Sequence, residues 1–254
     1  MIRLKDITAG YKGIKIIKNI NVFFEKGSIT GITGKNGCGK STLIKTASGL
    51  IKPFSGDIML DEENIYNIPD RKLAREISFL PQIRNVPNIT VYNLVMHGRF
   101  PYLGFPRILQ DEDKAIVENV LEKLDLKKYR NKNVKELSGG ERQKVYLAMV
   151  LAQDTYYIFL DEPTTYLDIN HQLEILDIIK ELMNMGRGVI MAIHDLNSAL
   201  TYSDKVCLLD KGGIVMFDTP EAVYNSREIE RVFHVKCDKV YMEEKGQSQY
   251  VFSI

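Results

Sequence analysis

The run Gly34-Lys35-Asn36-Gly37-Cys38-Gly39-Lys40-Ser41-Thr42 restricts this chain to very few folds. It fits the spacing G-x-x-x-x-G-K-[ST], in which glycines let successive backbone N–H groups curl inward around a polyphosphate. Such a loop needs a strand before it and a helix after it. Ser28-Ile29-Thr30-Gly31-Ile32-Thr33 reads as the strand, and Leu43-Ile44 continue into a helix that starts near Lys40 and adds its positive N-terminal dipole. In that geometry Lys40 contacts the β- and γ-phosphates and the Ser41 hydroxyl ligates Mg²⁺. The loop therefore implies binding of a nucleoside triphosphate.

The rest of the chain alternates apolar β-like runs with helix-like periodic segments, the pattern of an α/β protein with a mostly parallel sheet. Tyr156-Tyr157-Ile158-Phe159-Leu160 and Val189-Ile190-Met191-Ala192-Ile193 are apolar throughout, as strands buried on both faces are. Leu173, Leu176, Ile179, Leu182 and Met183 recur at helical spacing, with Gly186 as a stop signal. Val206 to Leu209, the turn Lys211-Gly212-Gly213 and Ile214 to Phe217 read as a hairpin, after which Thr219 caps a helix with Pro220 in its first turn. From about residue 87 to 153 the β signals fade, and Ile116, Val117, Val120, Leu121 and Leu124 trace an amphipathic helix, so a helical subdomain inserted into the α/β core is expected there. The basic run Lys127, Lys128, Arg130, Lys132 and Lys135 reads as a solvated face. The segment after residue 233, with Val240-Tyr241-Met242 and Tyr250-Val251-Phe252, reads as a short terminal hairpin.

A second candidate site element lies at the end of the first of those buried strands. Asp161 follows Ile158-Phe159-Leu160, which puts its carboxylate at the C-terminal edge of a strand beside the phosphate loop. There it is placed to hold a water of the Mg²⁺ shell, and the adjacent Glu162 to polarise an attacking water.

Composition removes several other classes. Of 254 residues, 34 are Lys or Arg and 33 are Asp or Glu, a formal net charge of +1. That balance argues against nucleic-acid binding through a basic surface. With 44% hydrophobic and 26% charged residues the chain is not disordered as a whole. No stretch approaches the roughly 18 uninterrupted apolar residues of a membrane span, and Met1-Ile2-Arg3-Leu4-Lys5-Asp6 has no apolar signal core. The cysteines, Cys38, Cys207 and Cys237, are odd in number and far apart, so a reducing cytosol is expected.

Between the two site elements lies Leu137-Ser138-Gly139-Gly140-Glu141, followed by a Leu- and Ala-rich helix. With it the sequence closely resembles the ATP-binding cassette (ABC) family, in the order Gly34 to Thr42, Gln82, Leu137 to Glu141, Ile158 to Glu162, Asp168 and His194, which spans nearly the whole chain. The resemblance implies a P-loop NTPase (RecA-like) core with an antiparallel β subdomain and an inserted helical subdomain, spanning residues 1–233, with 234–254 as an extension. It also implies two copies paired head to tail, each ATP held between the phosphate loop of one and Ser138, Gly139, Gly140 and Glu141 of the other. Two glycines at a helix N-terminus offer backbone donors suited to a γ-phosphate. The family usually ends that signature in Gln; Glu141 departs from it. By the same resemblance Gln82 ligates Mg²⁺, His194 bonds the γ-phosphate and Glu162, Asp168 contacts the opposing copy, and Tyr11 stacks on adenine.

Met96-His97-Gly98-Arg99-Phe100-Pro101-Tyr102 and Thr164-Thr165-Tyr166-Leu167-Asp168-Ile169-Asn170-His171-Gln172 look like the ATPases of importers for iron–siderophores, haem and vitamin B12. That likeness implies an ATPase at the cytoplasmic face of the membrane, a permease partner docked near Gln82 and Ile83 to Arg99, and a substrate-binding protein beyond it. The competing readings fit less well. A DNA-maintenance ATPase needs a long coiled coil between Gln82 and Ser138, a translation factor needs a second cassette, and a P-loop kinase or GTPase has no use for Ser138-Gly139-Gly140. Finally, Cys38 sits among loop N–H groups beside Lys40, where a positive field is expected to favour thiolate and make it the reactive cysteine.

Overall fold

The computed structural model describes residues 1–82, 85–104, 108–242 and 247–254; Ile83 and Arg84 of the expected docking segment lie outside the described residues. The chain opens with β1 (Ile2–Tyr11) and β2 (Ile14–Phe24), then β3 (Ile29–Gly34), α1 (Lys40–Ala47), β4 (Ser55–Leu60), the short β5 (Glu63–Asn64), α2 (Asp70–Glu76) and β6 (Ile77–Leu80). After β6 come α3 (Val91–Met96), α4 (Asp111–Lys123) and α5 (Gly139–Gln153). Then come β7 (Tyr157–Asp161), α6 (Ile169–Asn184), β8 (Gly188–Ala192), α7 (Leu196–Tyr202), β9 (Lys205–Asp210) and β10 (Gly213–Asp218). The last elements are α8 (Pro220–Asn225), α9 (Glu228–Phe233), β11 (Lys236–Met242) and β12 (Gln247–Ser253).

Among the described residues three sheets organise these elements. The main one has the order β10-β9-β3-β8-β7-β6; its pairs from β9 to β6 are parallel, and β10 closes one edge antiparallel. Every residue of β3, β7 and β8 is buried, because layers cover both faces. Alternation along β7 sorts its side chains between two cores. Tyr157 and Phe159 join Leu43 and Ile44 of α1 and the inner face of the antiparallel sheet β2-β1-β4-β5. Ile158 and Leu160 join α5 and α6 on the other side. The third sheet is the β11–β12 ladder, whose Cys237 and Tyr250 pack with Val223, Ile229 and Val232.

Local chemistry sets the element ends. Asp168 caps α6 by accepting from the His171 N–H, so the helix starts one turn before the apolar spacing that begins at Leu173. Leu173 itself is exposed, and the buried stripe is Ile175, Leu176, Ile179 and Leu182. Thr219 caps α8 ahead of Pro220, and Lys211 and Gly212, both at positive φ, make the tight β9–β10 turn. Tyr156, expected inside the strand, precedes it. The residue is exposed, with the Lys26 ammonium 4.0 Å from the ring centroid. Among the described residues no helix is long and apolar enough to cross a membrane.

Cations tie the stretch between β6 and β7 together and join it to α2. Arg99 is buried, with Nε on Asp113 Oδ1 at 2.9 Å, a terminal nitrogen on the Ala152 carbonyl at 2.9 Å and its guanidinium 3.9 Å from the Tyr102 ring centroid. Arg71 and Arg75 of α2 both donate to the Pro101 carbonyl.

Candidate functional site

The parallel register brings the C-terminal ends of β3, β8 and β7 into line, with Ile32 paired to Ala192 and Asp161 to Ala192. The loops that leave those ends share one cleft of about 450 Å³, lined by Ile16, Asn36, Gly37, Gly39, Lys40, Ser41, Thr42, Gln82, Glu162, Thr165, Tyr166 and His194. This is the crevice where open α/β sheets take their ligands. Residues as far apart in sequence as Asn36 and His194 thus meet at one place.

The phosphate loop forms as its glycines require. Gly34 has φ 152°, and a Cβ there would lie 2.3 Å from the Leu209 carbonyl oxygen. Gly39 has φ 110° and a Cβ would lie 2.5 Å from Ile17 Cγ2. The buried Lys40 ammonium donates to the Gly34 carbonyl at 2.8 Å and the Lys35 carbonyl at 3.3 Å, which holds it across the loop. Beneath it the Ser41 hydroxyl donates to Asp161 Oδ1 at 2.8 Å, and Lys45 Nζ stands 3.7 Å from Asp161 Oδ2.

Glu162 follows Asp161 with φ 57°, a left-handed turn that points its carboxylate toward the cleft. Three side chains hold it there. His194 Nε2 bonds Oε1, while Gln82 Nε2 donates to Oε2 at 2.8 Å and the Thr165 hydroxyl to the same oxygen at 3.2 Å. The resemblance implies the His194 contact with this acid, and for Gln82 a place at the metal. Thr165 is not expected there; its only sequence signal is a hydroxyl three residues after Glu162, the spacing of a local turn.

Other expected site residues lie outside this cleft. Tyr11 ends β1, partly exposed, and it is Ile16 that contributes to the cleft wall. Ser138 is the N-cap of α5, and neither it, Gly139, Gly140 nor Glu141 lines the cleft of its own chain. Asp168 accepts from the His171 N–H at 2.9 Å and from the His171 ring at 2.8 Å, and these bonds hold its carboxyl below the usual range. Cys38 overturns its expectation. It is buried, and desolvation raises its thiol pKa above the ordinary value despite the opposing charge of Lys40, so the thiol form is favoured.

The family model described as ABC transporter matches residues 17–165, from β2 to just past β7. The chain belongs to the ABC transporter family. It is 40% identical over 92% of its length to the petrobactin import ATP-binding protein FpuD of Bacillus anthracis, covering 86% of that protein. To the iron(3+)-hydroxamate import ATP-binding protein FhuC of Bacillus subtilis it is 40% identical over 93% of its length and 88% of the relative's. A dimeric bacterial ABC transporter cassette of solved structure superimposes with a TM-score of 0.76 at 28% identity, over 87% of this chain and 99% of that one.

As an ABC ATPase the chain carries one departure in its signature, and the structure accounts for it. Glu141 Oε2 accepts from the Ser138 backbone N–H at 2.8 Å while the Ser138 hydroxyl accepts from the Glu141 N–H at 3.3 Å, a reciprocal capping box. Tyr129 also bonds this carboxylate, and together with Ser138 holds its pKa down at about 2. An acid serves this helix start at least as well as an amide, because the N-terminal dipole favours negative charge.

Proposed function

We propose that this chain is the ATP-hydrolysing motor subunit of an importer, driving uptake of a metal chelate through a permease at the cytoplasmic face of the membrane. A ferric siderophore is the first choice of cargo, haem stands beside it and cobalamin comes next. The observation that carries this reading is the pair of relatives named for petrobactin and iron(3+)-hydroxamate import, each 40% identical over more than nine-tenths of the chain. A substrate-binding protein delivers the cargo to the permease, which docks near Gln82 and the segment up to Arg99. Gln82 couples the nucleotide site to the helical stretch of about residues 87–153.

In this reading Asn36, Gly37, Cys38, Gly39, Lys40, Ser41 and Thr42 wrap the phosphates, and Lys40 exchanges its two carbonyl partners for phosphate oxygens. Tyr11 stacks on the adenine. Glu162 is the general base. The three bonds on its oxygens support that role, since a carboxylate held in one orientation keeps an acceptor aimed at the attacking water. His194 contacts the γ-phosphate, and Gln82 reports the state of the site to the docking segment.

The donor set also fits magnesium. Ser41 Oγ and Asp161 Oδ1 are hard oxygen atoms 2.8 Å apart, the kind of partner this ion takes beside phosphate oxygens. Ser41 and Gln82 would hold it directly and Asp161 through water; when bound it neutralises charge on the β- and γ-phosphates. Ser138, Gly139, Gly140 and Glu141 serve the nucleotide of a second copy, with Asp168 at the same contact. Their position outside their own cleft and the dimeric relative support this composite site.

Uptake of iron-55 presented as ferric hydroxamate, ferric catecholate or haem, and of radiocobalt-labelled cobalamin, in the source cells with and without the gene, tests the reading. Loss of one ferric chelate supports it, loss of cobalamin uptake alone moves the cargo to the corrinoid, and unchanged uptake of every chelate overturns the importer role.

A further inference from the structure

Asp168 and Gly140 belong to two different segments of the proposed dimer contact, and within one chain the His171 side chain touches both. The His171 ring is bonded through Nδ1 to Asp168, at 2.8 Å to Oδ1 and 2.9 Å to Oδ2. A carboxylate only accepts, so Nδ1 carries the proton and the rest of the ring is turned away from Asp168. That ring lies on the first turn of α5. A Cβ built on Gly140 would come 2.2 Å from His171 Cδ2, 2.3 Å from Cγ and 2.6 Å from Nε2. Gly140 has an ordinary helical backbone here, so it is the ring that requires glycine, not the φ angle. One turn further along both helices, Lys144 Nζ and Glu174 Oε2 close the same seam at 2.7 Å.

We propose that His171 is a positioning residue that locks the Asp168 loop to the Ser138-Gly139-Gly140 helix start of the same chain, so that both reach the second copy's nucleotide as one rigid unit. The inference rests on the composite-site reading and adds to it the element that couples its two halves. The Asp168 bond fixes the ring plane, and the ring plane fixes how far the α5 N-terminus can approach. A histidine suits both tasks, because it joins a donor on one edge to a flat surface beyond it. Asparagine keeps only the donor, and phenylalanine keeps only the surface.

The test uses the full chain with ATP and magnesium, and reads nucleotide affinity, kcat, KM and the thermal midpoint for each variant. His171→Ala is expected to keep single-chain ATP affinity within about twofold and to lower kcat by about tenfold, the scale of coupling carried through a packed relay. His171→Asn and His171→Phe should each recover only part of the loss. Gly140→Ala should lose turnover through the clash, and adding His171→Ala should restore several-fold of it by clearing the space. A purely structural histidine would instead lower the thermal midpoint and leave kcat per folded molecule alone. Wild-type kcat in His171→Ala, or no recovery in the double variant, overturns the positioning role while leaving the composite site intact. Wild-type turnover in Gly140→Ala likewise overturns the positioning role, whereas the composite site itself falls if Glu162→Gln stays monomeric in ATP.

Discussion

The Ser41 hydroxyl donates to Asp161 Oδ1 at 2.8 Å, joining the start of α1 to the end of β7 across 120 positions of sequence. Asp161 is buried, and Lys45 Nζ at 3.7 Å is its nearby counter-charge. Asp161→Asn keeps the shape but removes the charge that orients the Ser41 side of the site. Hydrolysis should fall about 10- to 100-fold, as for losses of partners that orient metal ligands. The magnesium concentration for half-maximal rate should rise with it, and a titration of rate against magnesium at saturating ATP checks both.

Glu162→Gln should leave ATP binding intact and lower kcat by about 10²- to 10⁴-fold, the usual contribution of a general base. An amide cannot take the proton, although its shape still fits between Gln82, Thr165 and His194. Sedimentation in ATP should then show a persistent dimer, and single-turnover kinetics should show the block at the chemical step. Full steady-state turnover would remove Glu162 from that role.

Arg99 and Asp113 form an ion pair with both side chains buried. Arg99→Met strands the carboxylate and should destabilise the protein by about 3–5 kcal/mol in chemical denaturation. Arg99→Met with Asp113→Leu should recover part of that, because no charge remains buried. Recovery stays incomplete, since Asp113 Oδ2 also accepts from the Gln110 N–H at the start of α4.

Acid stability carries the mark of Glu141. Its folded pKa is about 2 against an ordinary 4.5, so its stabilising contribution is whole above pH 4.5 and is lost as the pH falls toward 2. Glu141→Gln keeps the capping bond and drops the charge. It should therefore cost about 0.3–1 kcal/mol at neutral pH, with the gap in melting temperature closing on acidification. A gap that widened below pH 4 would contradict this.

All three thiols are buried, and burial raises each above its usual range, Cys237 to about 11. A maleimide at neutral pH should label the folded protein slowly at every site, and denaturant should release three equivalents quickly. Fast labelling at Cys38 in the native protein would return it to the thiolate that its cationic neighbours suggest.

Much of this molecule is dictated by neighbours along the chain. The phosphate loop, the Thr219-Pro220 helix start and the Lys211-Gly212 turn all come from local φ/ψ preferences and hydrogen-bonding reach. So do the apolar runs that became β7 and β8, although their ends moved by a residue. The motif order also carried the family. Which groups touch is a matter of tertiary packing. The parallel register aligns the ends of β3, β8, β7 and β6, and through it Glu162 acquires Gln82, 80 residues away, and His194, 32 residues away. The meeting of His171 with Gly140 depends likewise on how α6 lies against α5, which no spacing within either helix encodes. Cys38 shows the limit most plainly. Sequence supplied the cationic neighbour that lowers a thiol pKa, but the opposing desolvation depends on packing against residues of β9, and burial exists only once the chain has folded.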